Sequence, residues 1–497
     1  MRILFDSRQT QYKTPFGTLR TGECCVLQIR IPTEVGASGV RLMLENSEHA
    51  VCAELPFSFA SRGEDGYELW RLEFTRQETG LHFYWFRIDK RGGGSFRLFR
   101  QGRDTNMEAG EKWQLSVIPA DFTVPDFAPG AVMYQIFPDR FARSGSSDLT
   151  GKLQPFWVHE SPDELPEYRP DAHGEVRNND FFGGNFAGIR EKLPYLQELG
   201  VGVLYLNPIF MAWSNHRYDT ADYRRPDPML GTEEDFRALC DAAHARGMRV
   251  ILDGVFSHTG SNSVYFDAKH VFGHGAASDP NSPYRRWYRF HHYPDDYEAW
   301  WGIRTLPCVE ELDETYLHYI IEDEDSVIAH WLRLGADGFR LDVVDELPDE
   351  FVRRLRRRMR QIDPQSLLLG EVWEDASNKR AYGVSRRYFV DGELDSVMNY
   401  PWRNAIVAFL TDADDGTALG ESLMTLAENY PPEVLSCVMN HLGTHDTPRI
   451  LTVLGEPFRG TKDERAHRRM TPVQRKTALM RLRMAAFLHA VFVAYLL

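Results

Sequence analysis

Residues 338–346 read Gly-Phe-Arg-Leu-Asp-Val-Val-Asp-Glu, a short apolar run with the pattern of a strand that ends in carboxylates. A second run of this kind, Leu-Gly-Glu-Val-Trp at 369–373, supplies Glu371. Side chains alternate along a strand, so Arg340 and Asp342 lie on one face, where the guanidinium favours the ionised carboxylate. Glu371 has no basic partner in its own strand, and an apolar setting would raise its pKa. Two carboxyl groups in such opposed environments suit glycoside hydrolysis, one as nucleophile and the other as acid.

Each segment taken alone has an ordinary alternative explanation, because a carboxylate at the end of a strand often caps the following helix. Three further segments of similar character shift the balance. They are Val-Ile-Leu-Asp-Gly-Val-Phe-Ser-His at 250–258, Asn-His-Leu-Gly-Thr-His-Asp-Thr at 440–447 and Asn-His-Arg-Tyr-Asp-Thr-Ala-Asp-Tyr at 215–223. A neutral sugar needs several hydrogen-bonding groups and an aromatic face around one ring, and these segments supply both.

Composition narrows the class of partner and the compartment. The chain has 497 residues and a net charge of −15, so we expect no nucleic-acid partner. Its six cysteines match no metal-binding spacing, which predicts free thiols, no metal ligands and a cytoplasmic location. The first residues lack the apolar core of a signal peptide. The apolar run 484–497 is too short to span a membrane, so no membrane association is expected.

The hydrophobic pattern divides the chain into two parts. Residues 1–125 alternate in short strands, such as 67–74 and 81–88, and predict an N-terminal β-sandwich domain. Residues 126–497 alternate between strands and helices, and eight such repeats predict a (β/α)8 TIM barrel of the α/β class. The active site of a barrel lies at the C-terminal ends of its strands, which is where the carboxylates and histidines fall.

The barrel elements can be placed by their periodicity. Strands are predicted at 131–137, 201–206, 249–253, 338–342, 367–371, 394–399, 438–441 and 490–496, with helices at 188–199, 233–246, 326–334, 350–362 and 475–488. The interval 256–315 is too long for a loop and predicts a small inserted domain over the barrel mouth. A local aromatic core would explain most of its many aromatic residues. Trp300-Trp301-Gly302 is the best candidate within it for a surface that stacks on a sugar.

In combination these segments resemble glycoside hydrolase family 13, the α-amylase family, and are most similar to its cyclomaltodextrinase, neopullulanase and maltogenic amylase group. Residues 134–141, 181–185 and 202–210 also resemble family motifs, and the resemblance covers about residues 125–450. The N-terminal domain resembles the starch-binding-like domain that precedes the barrel in that group. The resemblance implies a retaining hydrolase of α-glucosidic bonds in malto-oligosaccharides, cyclomaltodextrins, or pullulan- and starch-type glucans.

The resemblance also assigns catalytic roles to three carboxyl groups. Asp342 would be the nucleophile that forms a covalent glycosyl-enzyme ester. Glu371 would protonate the leaving oxygen and then activate water, with the two groups about 5 Å apart. Asp446 would hold ring hydroxyls next to the reacting carbon as the oxocarbenium ion develops.

The substrate-binding residues that the resemblance implies are Tyr218, His258, Arg340, Glu346, Trp373 and His445. Tyr218 would stack beneath the sugar whose hydroxyls the two histidines bind. Trp373 would form a platform on the leaving-group side. Arg340 would keep Asp342 ionised, with Asp253 as its structural support.

The chain departs from the family pattern at several positions. After the nucleophile the neopullulanase group usually has Asn-Glu and this chain has Asp345-Glu346, so the second position matches and the first does not. Residues 306–309 read Leu-Pro-Cys-Val in place of Met-Pro-Lys-Leu. Ser257 replaces an Asn that often helps to bind calcium, so we expect that no cofactor is required. A loop at 143–148 leaves calcium as an open alternative.

The end of the chain is the largest departure. It stops where the resemblance predicts the eighth strand, so we expect the C-terminal β domain to be missing. An open barrel would expose apolar surface and a strand edge, which a partner chain would cover, and a homodimer through the N-terminal domain is one alternative. Two rival functions stay open: a 4-α-glucanotransferase that uses the same residues, and a truncated, catalytically weak carbohydrate-binding protein.

Overall fold

The N-terminal part folds into two β-sheets whose inner faces share a core, as its alternating pattern predicts. The computed structural model describes residues 2–107, 109–172, 174–455, 458 and 460–496. One sheet has the order Lys13–Thr14, Cys24–Pro32, Tyr67–Thr75, Ser58–Arg62. The other contains Leu19–Arg20, Ala37–Asn46, Val51–Pro56, Gly80–Lys90, Ser95–Gln101, Asp104–Asn106 and Trp113–Ile118. Leu27, Phe86 and Trp113 are among the buried residues between them.

The second part is built on six parallel strands that pair in chain order. They are β1 (Met133–Ile136), β2 (Val203–Leu206), β3 (Arg249–Gly254), β4 (Gly338–Leu341), β5 (Leu367–Gly370) and β6 (Ser396–Val397). The register places Asp253 opposite Arg340 and Leu341 opposite Gly370. Asp342 and Glu371 therefore leave neighbouring strands at the same edge of the sheet, as the barrel prediction requires.

The seventh strand position is marked by a single parallel bridge between Met398 and Met439, shorter than the strand predicted at 438–441. Helices lie between and after the strands. They are Pro138–Phe141, Phe186–Glu198, Glu233–His244, Glu314–Leu317, Val327–Leu334, Asp349–Ile362, Tyr400–Leu410, Gly416–Asn429, Pro432–Cys437, Ile450–Gly455, Lys462–His467 and Pro472–Leu496. Four of the five predicted helices agree to within two residues at each end, and the fifth is longer.

The eighth strand, predicted at 490–496, is wrong, because these residues continue the helix Pro472–Leu496. No glycine or proline separates the predicted helix 475–488 from the apolar run after it, so nothing ends the helix. The ring of Phe492 packs against Trp402 with centroids 4.9 Å apart. No helix of the described residues is long and apolar enough to cross a membrane.

The interval 256–315 contains only short elements over the strand ends, including strands Phe290–His292 and Asp296–Tyr297. Most of its aromatic residues do form a local core, as the alternative explanation held: Phe266 stacks on Phe290 with centroids 5.6 Å apart. Trp300 and Trp301 make a separate parallel stack with centroids 4.4 Å apart. The side chain of Trp301 is 72% exposed, which leaves one large ring available to a ligand.

Gly338 gives a direct test of the strand packing below the site. A Cβ at this position would lie 2.1 Å from the backbone oxygen of Leu367 on β5. We expect Gly338→Ala to destabilise the fold by about 2 kcal/mol, because the backbone of the neighbouring strand cannot move aside. Thermal unfolding measures the change. Gly420→Ala is the matched control, since that helical glycine has open space around it and the change should slightly stabilise.

Candidate active site

One buried arginine holds the predicted catalytic carboxyl groups together. Arg340 has no exposed surface, and its Nη1 donates to Asp253 Oδ1 at 2.5 Å and to Asp342 Oδ1 at 2.8 Å. Its Nη2 donates to Glu371 Oε2 at 2.6 Å. The sequence pointed to a cation beside Asp342 alone, whereas the planar fork of the guanidinium serves both carboxyl groups. The predicted nucleophile and the predicted acid therefore lie side by side on one cation.

Charge around Arg340 is unbalanced, because three carboxyl groups face one guanidinium. Burial raises the pKa of Asp342 well above its ordinary range; Arg340 opposes this, and Glu371 and Asp253 add to it. Burial also raises the pKa of Asp446 to about 6, and Glu371 adds to that increase. The site therefore retains a proton more readily than separated carboxylates would. The predicted role of Arg340 in keeping Asp342 ionised has to act against this burial.

Both oxygens of Glu371 are held in place. The backbone N–H of Val343 donates to Oε2 at 2.8 Å, and Trp373 Nε1 donates to Oε1 at 3.0 Å. Trp373 itself stacks on Tyr400, with centroids 4.0 Å apart and an interplanar angle of 13°. Val343 has φ of 34°, a left-handed conformation that a β-branched residue rarely adopts. This strained residue directly follows Asp342 and joins the two predicted catalytic groups through the backbone.

A second layer of hydrogen bonds fixes Tyr218 and His445 beside the carboxylates. The Tyr218 hydroxyl lies 2.8 Å from Asp253 Oδ2 and 2.6 Å from His445 Nε2, and the two rings stack at 7°. Gln135 Nε2 lies 2.8 Å from His445 Nδ1. Because an amide nitrogen can only donate, Nδ1 accepts and the proton of the neutral ring belongs on Nε2. Burial, the largest cause, lowers the pKa of His445 to about 3, consistent with a neutral ring.

His258 and Asp446 line the cleft. His258 is 1% exposed, and its Nε2 has no hydrogen-bond partner among the described residues. Ser257 Oγ is 3.1 Å from its Nδ1, and burial lowers the pKa of the ring to about 4. Asp446 Oδ2 is 3.2 Å from His445 Nε2. Because Nε2 is itself buried, the predicted contact of His258 with a sugar hydroxyl stays a prediction.

These residues line a cleft of about 670 Å³. Glu346 lies on its wall and accepts hydrogen bonds from Trp300 Nε1, from Trp301 Nε1 at 2.7 Å and from the Tyr382 hydroxyl at 3.0 Å. Both carboxylate oxygens are thus used to orient aromatic rings. The predicted substrate-binding role of Glu346 stays a prediction, and its geometry favours an action through these rings. Trp300, Trp301 and Tyr382 are the aromatic surface of this wall.

Asp345, the departure from the family pattern, has a structural explanation in this chain. Its Oδ1 accepts from the Tyr388 hydroxyl at 2.7 Å, and its Oδ2 lies 3.0 Å from Lys379 Nζ. An asparagine at this position could not offer Lys379 a charged partner. Asp345 therefore holds the segment that carries Lys379 against the cleft.

The loop 143–148, the open alternative for calcium, offers one carboxylate, Asp148. Its Oδ1 accepts from the backbone N–H of Thr150 at 2.9 Å. The Ser144 carbonyl, a further oxygen in this loop, accepts from Asn185 Nδ2 at 2.8 Å. Both oxygens already have partners within the chain, and calcium binding at this loop stays a prediction.

Several residues of the site were not singled out from the sequence. Tyr205 donates to Asp253 Oδ2 at 2.7 Å, and Asn207 Nδ2 donates to the Tyr218 hydroxyl at 2.9 Å. Position carried a signal for Asn207, which directly follows β2, and for Gln135 inside β1. Tyr382 lies on a hairpin 12 residues beyond the end of β5, and nothing in its local sequence points to the site.

The buried neutral histidines make the fold sensitive to acid. The pKa of an ordinary exposed histidine is about 6.5, whereas burial lowers that of His258 to about 4. Below about pH 6.5 the unfolded chain takes up a proton that the folded one refuses, so stability is lost between about pH 6.5 and 4. We expect His258→Gln to reduce the pH slope of the unfolding free energy by about 1.4 kcal/mol per pH unit in that window.

Urea unfolding at a series of pH values measures this slope. His292→Gln is the control, because that ring is exposed and solvent reaches it in both states. Equal slopes for the wild type and His258→Gln would contradict a buried neutral His258.

Comparison with known proteins places this site in a family. The alpha amylase catalytic domain matches residues 135–474. The amylopullulanase of Thermoanaerobacter thermohydrosulfuricus is 33% identical over 97% of this chain and 35% of its own length. The cyclomaltodextrinase of Geobacillus thermopakistaniensis is 34% identical over 69% of this chain and 54% of its own length. The chain thus spans between about a third and about half of these relatives.

Solved structures of other proteins align with this chain as well. The type III pullulan hydrolase from Thermococcus kodakarensis aligns with 97% of this chain and 77% of its own, with a TM-score of 0.61 and 26% identity. Ttha1563 from Thermus thermophilus aligns with 66% of this chain and 68% of its own, with a TM-score of 0.54 and 38% identity. On the extent of the family match and the position of the carboxylates at the strand ends, the chain belongs to the alpha-amylase family.

Proposed function

We propose that this protein is a retaining glycoside hydrolase that cleaves α-glucosidic bonds of malto-oligosaccharides, cyclomaltodextrins, or pullulan- and starch-type glucans. The observation that carries the proposal is the placement of Asp342 and Glu371 on the two terminal nitrogens of one buried guanidinium. Retaining glycoside hydrolysis uses one carboxyl group as nucleophile and a second as acid, and these two side chains lie side by side on one cation.

The hydrogen bonds suggest which oxygen does what. Oδ1 of Asp342 accepts from Arg340, which leaves Oδ2 to attack the anomeric carbon. Oε2 of Glu371 accepts from both Arg340 and Val343, so the acid proton belongs on Oε1, beside Trp373. An oxygen that already accepts two N–H bonds is the poorer site for a proton.

The reaction then runs in two balanced steps. Glu371 gives its proton to the leaving glycosidic oxygen while Asp342 forms an ester bond to the anomeric carbon and the C–O bond breaks. Water next loses a proton to Glu371 and attacks the same carbon, and the ester breaks to release Asp342 as a carboxylate. Asp446 and His258 would hold ring hydroxyls throughout. Two inversions at one carbon give net retention.

The surroundings of the carboxyl groups fit a neutral substrate. His445 and His258 are kept uncharged by burial, so their ring nitrogens offer hydrogen bonds without charge. Tyr218 and the Trp300–Trp301 stack present aromatic faces to the same cleft. Neutral donors and flat rings are what pyranose hydroxyls and C–H faces require.

Cellular location, dimerisation and calcium binding are three further proposals. All six cysteines are unpaired, in keeping with a reducing compartment such as the cytoplasm. A homodimer through the N-terminal domain would be tested by light scattering. The two steps above need no cofactor, and calcium at 143–148 would be tested by activity and unfolding temperature with and without chelator.

The substrate proposal is tested by incubating the purified chain with β-cyclodextrin, maltotriose and pullulan in turn and separating the products. We expect ring opening and short products. Longer products than the substrate would favour the rival 4-α-glucanotransferase.

Asp342→Asn should lower kcat by about three orders of magnitude or more while circular dichroism stays unchanged, because it removes covalent catalysis. A variant that keeps about a tenth of the rate would contradict the assignment of Asp342.

The role of Glu371 has a test of its own. Glu371→Gln should slow the cleavage of maltotriose far more than that of an activated aryl α-glucoside, because a good leaving group needs no proton. The ratio of kcat/KM for the two substrates measures this difference. Equal losses on both would show that Glu371 is not the acid.

A further inference from the structure

A short hairpin, residues 380–385, carries one wall of the cleft. Its strands are Arg380–Ala381 and Val384–Ser385, and its turn consists of Tyr382 and Gly383 with φ of 51° and 80°. Two positive φ values match the tight turn that two-residue hairpins prefer. Glycine accepts this conformation without cost, whereas Tyr382 holds a bulky ring in it. The Tyr382 side chain is 75% exposed, so burial does not account for its position.

A second turn on the same wall repeats the arrangement. Trp301, with φ of 50°, is followed by Gly302 with φ of 74°. Trp301 Nε1 and the Tyr382 hydroxyl both donate to Oε1 of Glu346, at 2.7 and 3.0 Å. Two turns from distant parts of the chain thus each present a strained, exposed aromatic residue to one carboxylate. Backbone strain is thus present at the aromatic residue of both turns, and strained residues tend to occur at binding sites. This points to a binding function for the two rings.

The hairpin is tied to the N-terminal domain from behind. Arg380 Nη1 donates to Glu48 Oε2 at 2.9 Å, and the Ser385 hydroxyl donates to Glu48 Oε1 at 3.1 Å. Glu48 thereby holds one residue from each strand of the hairpin. Its own turn is fixed, because Asn46 Oδ1 accepts from the backbone N–H groups of Glu48 and Ala50, each at 3.0 Å.

A second tie lies just before the hairpin and is buried. Gln114, 8% exposed on a core strand of the N-terminal domain, donates from Nε2 to Ser377 Oγ at 2.9 Å. Its Oε1 accepts from Asn378 Nδ2 at 2.8 Å. The segment 377–385 is therefore hydrogen-bonded to the N-terminal domain at both ends. Within it, Lys379, Arg380, Ala381 and Tyr382 line the cleft.

We propose that the N-terminal domain sets the position of this cleft wall, and that Glu48 is a positioning residue for the binding of longer substrates. The proposal rests on the proposed function, since it concerns how that same cleft holds its glucan. A substrate that reaches from Asp342 to Tyr382 gains from a fixed hairpin. A small substrate that occupies only the sugar site at Asp342 does not. Glu48 acts through Arg380 and Ser385 and touches no substrate.

The test compares Glu48→Ala with Glu73→Ala. Both glutamates belong to the N-terminal domain, are 56% exposed and pair with an arginine that is 50% or 51% exposed, but Glu73 pairs with Arg71 and not with the hairpin. We expect Glu48→Ala to raise KM for maltohexaose up to about fivefold with kcat unchanged. KM for an activated aryl α-glucoside should stay the same. Glu73→Ala should change neither.

Tyr382→Ala distinguishes a positioning role of Glu48 from a merely structural one. It should raise KM for maltohexaose as well, and Glu48→Ala added to it should have little further effect, because the ring that Glu48 positions is gone. Full additivity, or an equal KM for Glu48→Ala and Glu73→Ala, would overturn the proposal. So would an equal loss on the aryl glucoside, since the change would then have reached the chemistry.

Limited digestion with trypsin separates this inference from the function on which it rests. Release of the hairpin should speed cleavage after Lys379 or Arg380 several-fold in Glu48→Ala relative to Glu73→Ala, whatever the enzyme's activity. A wild type that cleaves neither substrate would refute the proposed function. Unchanged digestion in Glu48→Ala would refute the positioning role, even in an active enzyme.

Discussion

The guanidinium of Arg340 is the interaction on which the site depends. Three carboxyl groups, one on β3 and one directly after each of β4 and β5, converge on it in the interior, where each would otherwise carry a large desolvation cost. Strand register brings the groups to one edge, and the fork of the guanidinium bonds all three. A lysine could not reproduce this, because it offers a single point charge in place of two directed nitrogens.

The groups around Arg340 become less polar with distance from it. Tyrosine hydroxyls and amides form the next layer around His445, whose pKa is lowered chiefly by burial. Aromatic rings form the outer wall, where Glu346 collects their polar hydrogens. The N-terminal β domain then holds the outermost hairpin. The carboxyl groups at the base of the cleft are thus held by one buried cation, while the proposed substrate-binding wall is held by the N-terminal sheets.

Much of this could be read from the sequence, because its parts carry local signals. Arg340 and Asp342 are two residues apart, so strand alternation places them on one face, and Glu371 follows the end of the next strand. The structure brings these three residues together. Capped helices such as Glu233–His244 were equally clear. What could not be read depends on distant contacts: the sharing of Arg340 by Glu371, the strained backbone of Val343, and Glu48 on the hairpin. The prediction of an eighth strand was wrong because a short apolar run has the same composition in a buried helix as in a strand.

The excess negative charge at Arg340 has a consequence for selection. Neutralising one of the three carboxyl groups would relieve the repulsion among them, so a substitution that removes the proposed catalysis should stabilise the fold. A screen for heat resistance should therefore recover substitutions at the proposed catalytic carboxyl groups. Loss of Arg340 itself would leave three buried carboxylates with no cation, a state that the fold tolerates poorly. A lineage that abandons catalysis should accordingly lose a carboxylate first and the arginine later.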